Sequence, residues 1–261
     1  MDLGLKGKVA LVMASSRGLG QAMAVSLARE GVKVAVTGRN PEGLKKSVEM
    51  IEAAGGTALA LSWDLSDASL IDSLVSKVEK ELGPIDILVN NTGGPPPTLA
   101  TGQDPALWQK SFNDMVLSLI SITDRVLPGM RQRKWGRIIT STTSGAIAPI
   151  KNLAISNTLR AALLAWSKTL AAEVAAEGIT VNVIMPGRVA TDRLRQLDEA
   201  RAQRENVTYD SVVQASLKQI PMGRYGDPQE YGDTAAFLAS QSASFITGSV
   251  IRVDGGQIQA I

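Results

Sequence analysis

A sequence of 261 residues with no histidine and no cysteine lacks the commonest general base and metal ligand, and it lacks thiolate chemistry and disulfides altogether. Acid–base work would fall to Tyr, Lys, Ser or a carboxylate, and no metal site is expected. Two groups of residues have types and spacing that chemistry could use. In "MASSRGLGQAMA", Gly18 and Gly20 stand at the start of a helical stretch. A tight glycine turn there lets backbone N–H groups and the helix N-terminus meet a diphosphate; the alternative is a turn that only packs helix on strand. In "NLAISNTLRAALLAWSKTLAAEV", Ser156 and Arg160 lie four residues apart and would share one helix face. A hydroxyl and a fixed positive charge on that face could dock a carboxylate or phosphate; the alternative is two tolerated polar residues with no joint role.

These groups need a scaffold, and the apolar pattern supplies one. Short β-rich runs occur at 8–13, 33–37, 57–63, 85–90, 136–141, 179–185 and 249–254. Such runs are apolar on both faces because helices cover both sides of a parallel sheet, and the segments between them, such as Gly18 to Glu30 and Ser66 to Leu82, have helical spacing. The expected fold is α/β: a Rossmann-type doubly wound parallel sheet of about seven strands with helices on both faces, residues 1–261 forming one domain. A Gly/Pro-rich loop, "GGPPPTLATGQDP", follows the fourth strand. The charged helical stretch at about 191–222 interrupts the alternation and is expected to be a small lid.

The second strand ends in "TGRN", which puts Arg39 where an acidic residue would otherwise accept from an adenosine ribose hydroxyl. Arg17 and Arg39 together suggest a 2′-phosphate, hence NADP rather than NAD; singly, each is an ordinary solvated charge. Tyr209, Tyr225 and Tyr231 are the only tyrosines. Tyr209 falls in the lid, where it either reaches the crevice or packs on the surface. The run "TSTTSGA" at 140–146 is either turn chemistry or part of a substrate site.

Hydrophobic residues make up 44% of the chain and charged residues 20%, the balance of a soluble globular protein with a sizeable core. A net charge of +2, with no basic block, gives nucleic-acid binding no support. The N-terminal apolar run is too short for a signal peptide, and no run approaches the roughly 18 residues that a membrane span needs. A cytoplasmic protein with a small-molecule, possibly anionic, substrate is expected.

Seven segments, "SSRGLG", "DLSD" (64–67), "ILVNNTGG" (87–94), "WGRIIT" (135–140), "ITVNVIMPGRVATD" (179–192), "PMGRYGDPQE" (221–230) and "FITGSVIRVDGG" (245–256), carry a resemblance to the short-chain dehydrogenases/reductases. It runs from Lys8 to Gly256 and is strongest to the 3-oxoacyl-[acyl-carrier-protein] reductases. The resemblance implies a nicotinamide cofactor across the strand ends. Ser15, Ser16, Arg17, Gly18, Leu19 and Gly20 would form its first turn, with Arg39 at the ribose. Asp64 would lie near the adenine with Leu65 beside it, and Asn91 near a ribose with Gly93 following. Arg160 would meet a ribose too, and Val189 after Pro186-Gly187 would meet the nicotinamide. It also implies a homotetramer or homodimer built on the helices at about Pro105 to Arg131 and Asn152 to Ala176, the latter apolar or small on much of its surface.

The sequence departs from the family where the chemistry sits. Met13 and Ala14 replace the usual Thr-Gly of the first turn, and an Ala held at positive φ would be strained. Thr143 stands at the family's catalytic Ser, Ser156 at its Tyr, Arg160 at its Lys and Met115 at its Asn. Thr143 keeps a hydroxyl for a carbonyl. Ser156 is shorter and far less acidic than a phenol, Arg160 cannot relay a proton, and Met115 lacks the carbonyl that orders a relay water. The implied function is an NADP-dependent oxidoreductase of carbonyl or alcohol substrates with non-standard acid–base residues. The alternative is an inactive ligand-binding, regulatory or partner-subunit protein on the same scaffold.

Overall fold

The structure, a computed structural model, describes residues 2–259. In chain order it contains β1 (Val9–Val12), α1 (Gly18–Arg29), β2 (Lys33–Gly38), α2 (Pro41–Ala53), β3 (Thr57–Ser62), α3 (Ile71–Glu81), β4 (Ile87–Asn90), α4 (Pro105–Phe112), α5 (Ser118–Arg133), β5 (Gly136–Ser141), α6 (Ala154–Val174), β6 (Ile179–Pro186), α7 (Asp192–Glu205), α8 (Tyr209–Leu217), α9 (Pro228–Ala239) and β7 (Val250–Val253). All seven strands pair in parallel in the order β3-β2-β1-β4-β5-β6-β7. The order reverses between β1 and β4, so the crevice outside their carboxyl ends is where an open α/β sheet binds ligands.

The alternation of side chains explains why the strands read as unbroken apolar runs. Ala10 and Val12 of β1 join Met23, Leu27, Leu44, Ile51 and Leu238 beneath α1, α2 and α9. Val9 and Leu11 point the other way, to Val75, Val78, Ile122, Val126 and Leu170 beneath α3, α5 and α6. Each such side chain fully removed from water contributes about 1.5–3 kcal/mol, so both faces are strongly specified.

One departure from the helical pattern matters for the site. The stretch at 105–133 is not one regular helix: a π turn at Asn113–Leu117 separates α4 from α5. Met115 in this turn is 3% exposed and packs with Leu119, Ile155, Leu159 and Leu163. It is a core residue joining the turn to α6. Among the described residues, no helix is long and apolar enough to cross a membrane.

Candidate active site

The turn after β1 is built by hydrogen bonds that seal part of it. The Ser15 hydroxyl donates to the Val12 carbonyl (2.7 Å) and accepts from the Thr37 amide (2.9 Å), while the Ser15 amide donates to the Thr37 carbonyl (2.8 Å). Ser15 is 0% exposed, so its expected place among cofactor contacts is corrected: it ties the turn to β2 and has no side-chain bond left to give. Gly18 has φ +58°, and a Cβ on Gly20 would strike the Ala14 carbonyl oxygen, stand 2.8 Å from Asn91 Nδ2 and 2.9 Å from Ser15 Cα. Asn91 Nδ2 donates to the carbonyls of Met13 (3.3 Å) and Ala14 (3.2 Å), bracing the turn from β4. Leu19 is half-buried and packs on the core, leaving its backbone to the turn. Arg17, the N-cap of α1, makes no side-chain capping bond, so the first N–H groups of the helix remain for an anion. The glycine cradle and the uncapped helix fit a dinucleotide diphosphate.

Ala14 does take the conformation that glycine prefers, with φ 46°. We expect Ala14→Gly to raise the unfolding free energy by about 0.5–1 kcal/mol, the relief of left-handed strain offset by unfolded-chain entropy. A lower urea midpoint for that variant would show that the methyl packs usefully.

At the other end of the turn, Ser16 lies against Gly38 and Gly43: a Cβ on Gly38 would stand 2.8 Å from Ser16 Oγ, and one on Gly43 2.7 Å from the Ser16 carbonyl oxygen. The turn bearing Arg17 and the end of β2 bearing Arg39 are therefore in contact, and both arginines are exposed. Asp64 accepts from the Ser66 amide (3.0 Å) and hydroxyl (2.9 Å), and its second oxygen is 3.8 Å from Arg39 Nη1. Those contacts, the amide first, hold its pKa below the ordinary carboxylate value. Leu65 beside it is half-buried against the α3 side of the sheet.

At the ends of β4 and β5, the structure corrects the reading of Arg160. Its side chain does not project beside Ser156 to await an anion. It is 6% exposed, with Nη1 donating to the Ser141 carbonyl (2.9 Å) and Nη2 to the carbonyls of Thr92 (2.9 Å) and Gly93 (3.3 Å). The guanidinium ties β4 to β5. Burial without a carboxylate partner pulls its pKa down to about 10, which leaves it charged at neutral pH. Ser156 is half-buried and makes no side-chain hydrogen bond with a described residue, and Thr143 Oγ1 is only weakly engaged, 3.5 Å from the Gly145 amide. These two hydroxyls are bound weakly or not at all by the described residues.

No tyrosine replaces the missing phenol. Tyr231 is fully buried on the other face of the sheet, sharing a 2.9 Å hydrogen bond with Ser141 Oγ and donating to the Ile184 carbonyl (3.1 Å). Burial raises its pKa well above the ordinary value. Tyr225 donates to Asp198 (2.8 Å). Tyr209 lines a cavity of about 520 Å³ between α1, α7, α8 and the start of α9. That cavity reaches Gly18 and Thr191 but not Thr143, Ser156 or Arg160, so it lies behind the turn after β1 and is not the crevice over the strand ends. Thr142, in the hydroxyl-rich run at 140–146, and Thr92, in "ILVNNTGG", have hydroxyls buried at the ends of β5 and β4 without a partner among the described residues; neither is singled out by itself as a site residue in the sequence.

The turn after β6 closes the site. A Cβ on Gly187 would stand 2.7 Å from Asp254 Cα, so Pro186-Gly187 fits only with glycine there, and Val189, 5% exposed, bridges to Gly226. Arg188 Nη1 meets Asp198 Oδ1 at 2.6 Å, and Asp198 is 1% exposed. With the Tyr225 contact, this carboxylate fastens α7 to the body of the domain. The stretch expected as a lid is thus two helices with a buried polar latch.

This arrangement matches known reductases over nearly its whole length. The family model described as "Enoyl-(Acyl carrier protein) reductase" matches residues 13–257. The acetoacetyl-CoA reductase of Shinella zoogloeoides is 36% identical over 250 residues, covering 96% of this chain and 98% of that protein. The 3-oxoacyl-[acyl-carrier-protein] reductase of Escherichia coli (strain K12) is 35% identical over 257 residues, covering 97% and 98%. The crystal structure of L-sorbose reductase from Gluconobacter frateurii, complexed with NADPH and L-sorbose, superposes with a TM-score of 0.94 at 30% identity, covering 100% of both chains. On the sheet order, the glycine cradle and these end-to-end matches together, the chain belongs to the short-chain dehydrogenase/reductase family of oxidoreductases and is similar, within it, to the 3-oxoacyl-[acyl-carrier-protein] reductases.

Proposed function

We propose that the chain is an NADPH-dependent reductase of a small 3-oxoacyl-like carbonyl compound. Its own side chains hold the substrate oxygen but do not titrate, so the proton that completes the alcohol after hydride transfer comes from a water molecule in the crevice. The observation that carries the reading is the uncapped N-terminus of α1 behind the Gly18 and Gly20 cradle, flanked by the exposed arginines Arg17 and Arg39. Gly18, Gly20 and the α1 amides would hold the diphosphate, Arg17 and Arg39 the 2′-phosphate, Asn91 and Gly93 the ribose side, and Val189 the nicotinamide side. When bound, the nicotinamide supplies the hydride. Thr143 and Ser156 donate hydrogen bonds to the substrate oxygen, Arg160 keeps the strand ends in register beneath it, and α7 and α8 act as a lid that limits water. Assembly on α5 and α6 into a dimer or tetramer belongs to the same proposal, and light scattering at micromolar concentration reads it directly.

The lack of a titrating donor beside Thr143 favours a second reading of the acceptor. A conjugated enoyl thioester asks less of such a site than a ketone, because hydride addition leaves the charge delocalised over an enolate rather than localised on an alkoxide. Assays of crotonyl and acetoacetyl thioesters with NADPH separate the two.

The cofactor half is tested by titrating the protein with NADPH and NADH while following nicotinamide fluorescence. NADPH should bind at least about tenfold more tightly, the worth of one charge-assisted contact, and Arg39→Ala should erase most of that preference. Equal affinities for the two nucleotides would overturn the 2′-phosphate assignment. No uptake of either would leave the non-catalytic scaffold as the better account.

A further inference from the structure

Burial denies Arg160 the anion-binding role that its spacing suggested, but another arginine stands where that role can be filled. Arg193 lies in the first turn of α7 and is exposed. Its Nη2 reaches across to the loop after β4, 3.4 Å from the Pro95 carbonyl oxygen and 3.8 Å from where a Cβ on Gly94 would stand. The guanidinium therefore bridges the two segments that bound the mouth of the crevice, one rising from Asn91 and the other from Thr191.

Among the described residues, that one long contact to the Pro95 carbonyl is all that accounts for this placement. The neighbouring arginines are paired with carboxylates: Arg188 with Asp198 (2.6 Å), Arg195 with Glu199 (2.9 Å), Arg201 with Glu205 (2.9 Å) and Arg204 with Glu205 (3.7 Å). Among the described residues no carboxylate lies within 4.0 Å of Arg193 in the way these do. The Pro95 contact is at the long limit of a hydrogen bond. A cation in the first turn also opposes the helix dipole, which favours acids there. The residue is thus held at the crevice mouth with its fork of donors nearly unused.

We propose that Arg193 receives an oxyanion, a carboxylate or a phosphate, entering between the loop at 93–97 and α7. A planar guanidinium grips either group through two parallel N–H bonds, which a lysine cannot reproduce. The anion has two sources, the diphosphate of the cofactor or an acid group on the substrate. The proposal rests on the reading of this crevice as a cofactor and substrate site.

Calorimetric titration of the whole chain with inorganic pyrophosphate and, separately, with acetoacetate tests it, using the natural protein, Arg193→Gln, Arg193→Lys and Arg204→Gln. The natural protein should bind at least one probe. Arg193→Gln should weaken that probe by about tenfold or more, Arg193→Lys should recover only part of it, and Arg204→Gln should match the natural protein. A loss confined to pyrophosphate assigns the cofactor as the source, and a loss confined to acetoacetate assigns the substrate. The urea midpoint of Arg193→Gln should not fall, since no fold contact of consequence is lost. The proposal is overturned if the natural protein binds neither probe, if Arg193→Gln binds both as well as the natural protein does, or if Arg204→Gln weakens them equally. A parallel NADPH titration separates this from the reductase reading. No NADPH uptake with an intact Arg193 effect sinks the latter alone, and normal uptake without an Arg193 effect sinks only the former.

Discussion

Putting a tyrosine and a lysine at positions 156 and 160, with asparagine at 115, is expected to raise the NADPH-dependent reduction of acetoacetyl thioester by roughly 10² to 10⁴, the usual worth of a positioned general acid. The natural chain should reduce it very slowly. Ser156 is half-buried and its hydroxyl has no partner among the described residues, so a phenol built there has no existing bond to break. The other two changes carry costs. Arg160→Lys replaces three donated bonds to the Ser141, Thr92 and Gly93 carbonyls with the shorter reach of one ammonium. An acceptor left buried and unpaired costs about 1–3 kcal/mol. Met115→Asn puts an amide among Leu119, Ile155, Leu159 and Leu163, where it must find partners or destabilise by a similar amount. The pair Ser156→Tyr with Arg160→Lys is therefore the variant to assay first. Its rate should show a new dependence on pH from the phenol, measured as initial velocity across the alkaline range. Brisk ketone reduction by the natural chain, unchanged in Ser156→Ala, would mean that the catalytic centre lies elsewhere.

Asp198→Ala should lower stability by about 3–5 kcal/mol, the cost of breaking a buried ion pair from one side. The carboxylate is 1% exposed and accepts from both Arg188 (2.6 Å) and Tyr225 (2.8 Å), so its removal strands a guanidinium and a hydroxyl together. For a chain of this size the thermal midpoint should fall by roughly 10 °C, at about 2–4 °C per kcal/mol. Asp198→Asn keeps the shape and one acceptor and should fall less. Because the latch fastens α7, cleavage within Asp192–Glu205 by a trace of protease should also quicken. A midpoint within 2 °C of the natural protein's would show that α7 and α8 are held by other contacts.

Much of the fold was legible because it is written locally. Runs such as 33–37 and 136–141 became β2 and β5 almost residue for residue, since a strand covered on both faces must be apolar throughout. Gly18 and Gly20 announced a tight strand-to-helix turn because a backbone at positive φ, or one pressed against a neighbouring carbonyl, admits little else. The spacing of Ser156 and Arg160 correctly put them on one helix.

What spacing could not give was the surroundings of that helix face. An i, i+4 pair fixes which side of α6 two residues share, but it does not say whether carbonyls of β4 and β5 end close enough to take up a guanidinium; those strands lie 67–68 and 19 residues away in sequence. The π turn that buries Met115 and the carboxylate sealed inside the charged sequence of α7 were hidden for the same reason. Local pattern sets backbone conformation and the apolar face. The partner of a buried charge is set by which distant backbone groups the sheet order brings to the same end, and so only the assembled tertiary structure decided that Arg160 is a brace, Asp198 a latch and Arg193 the arginine left at the mouth of the crevice.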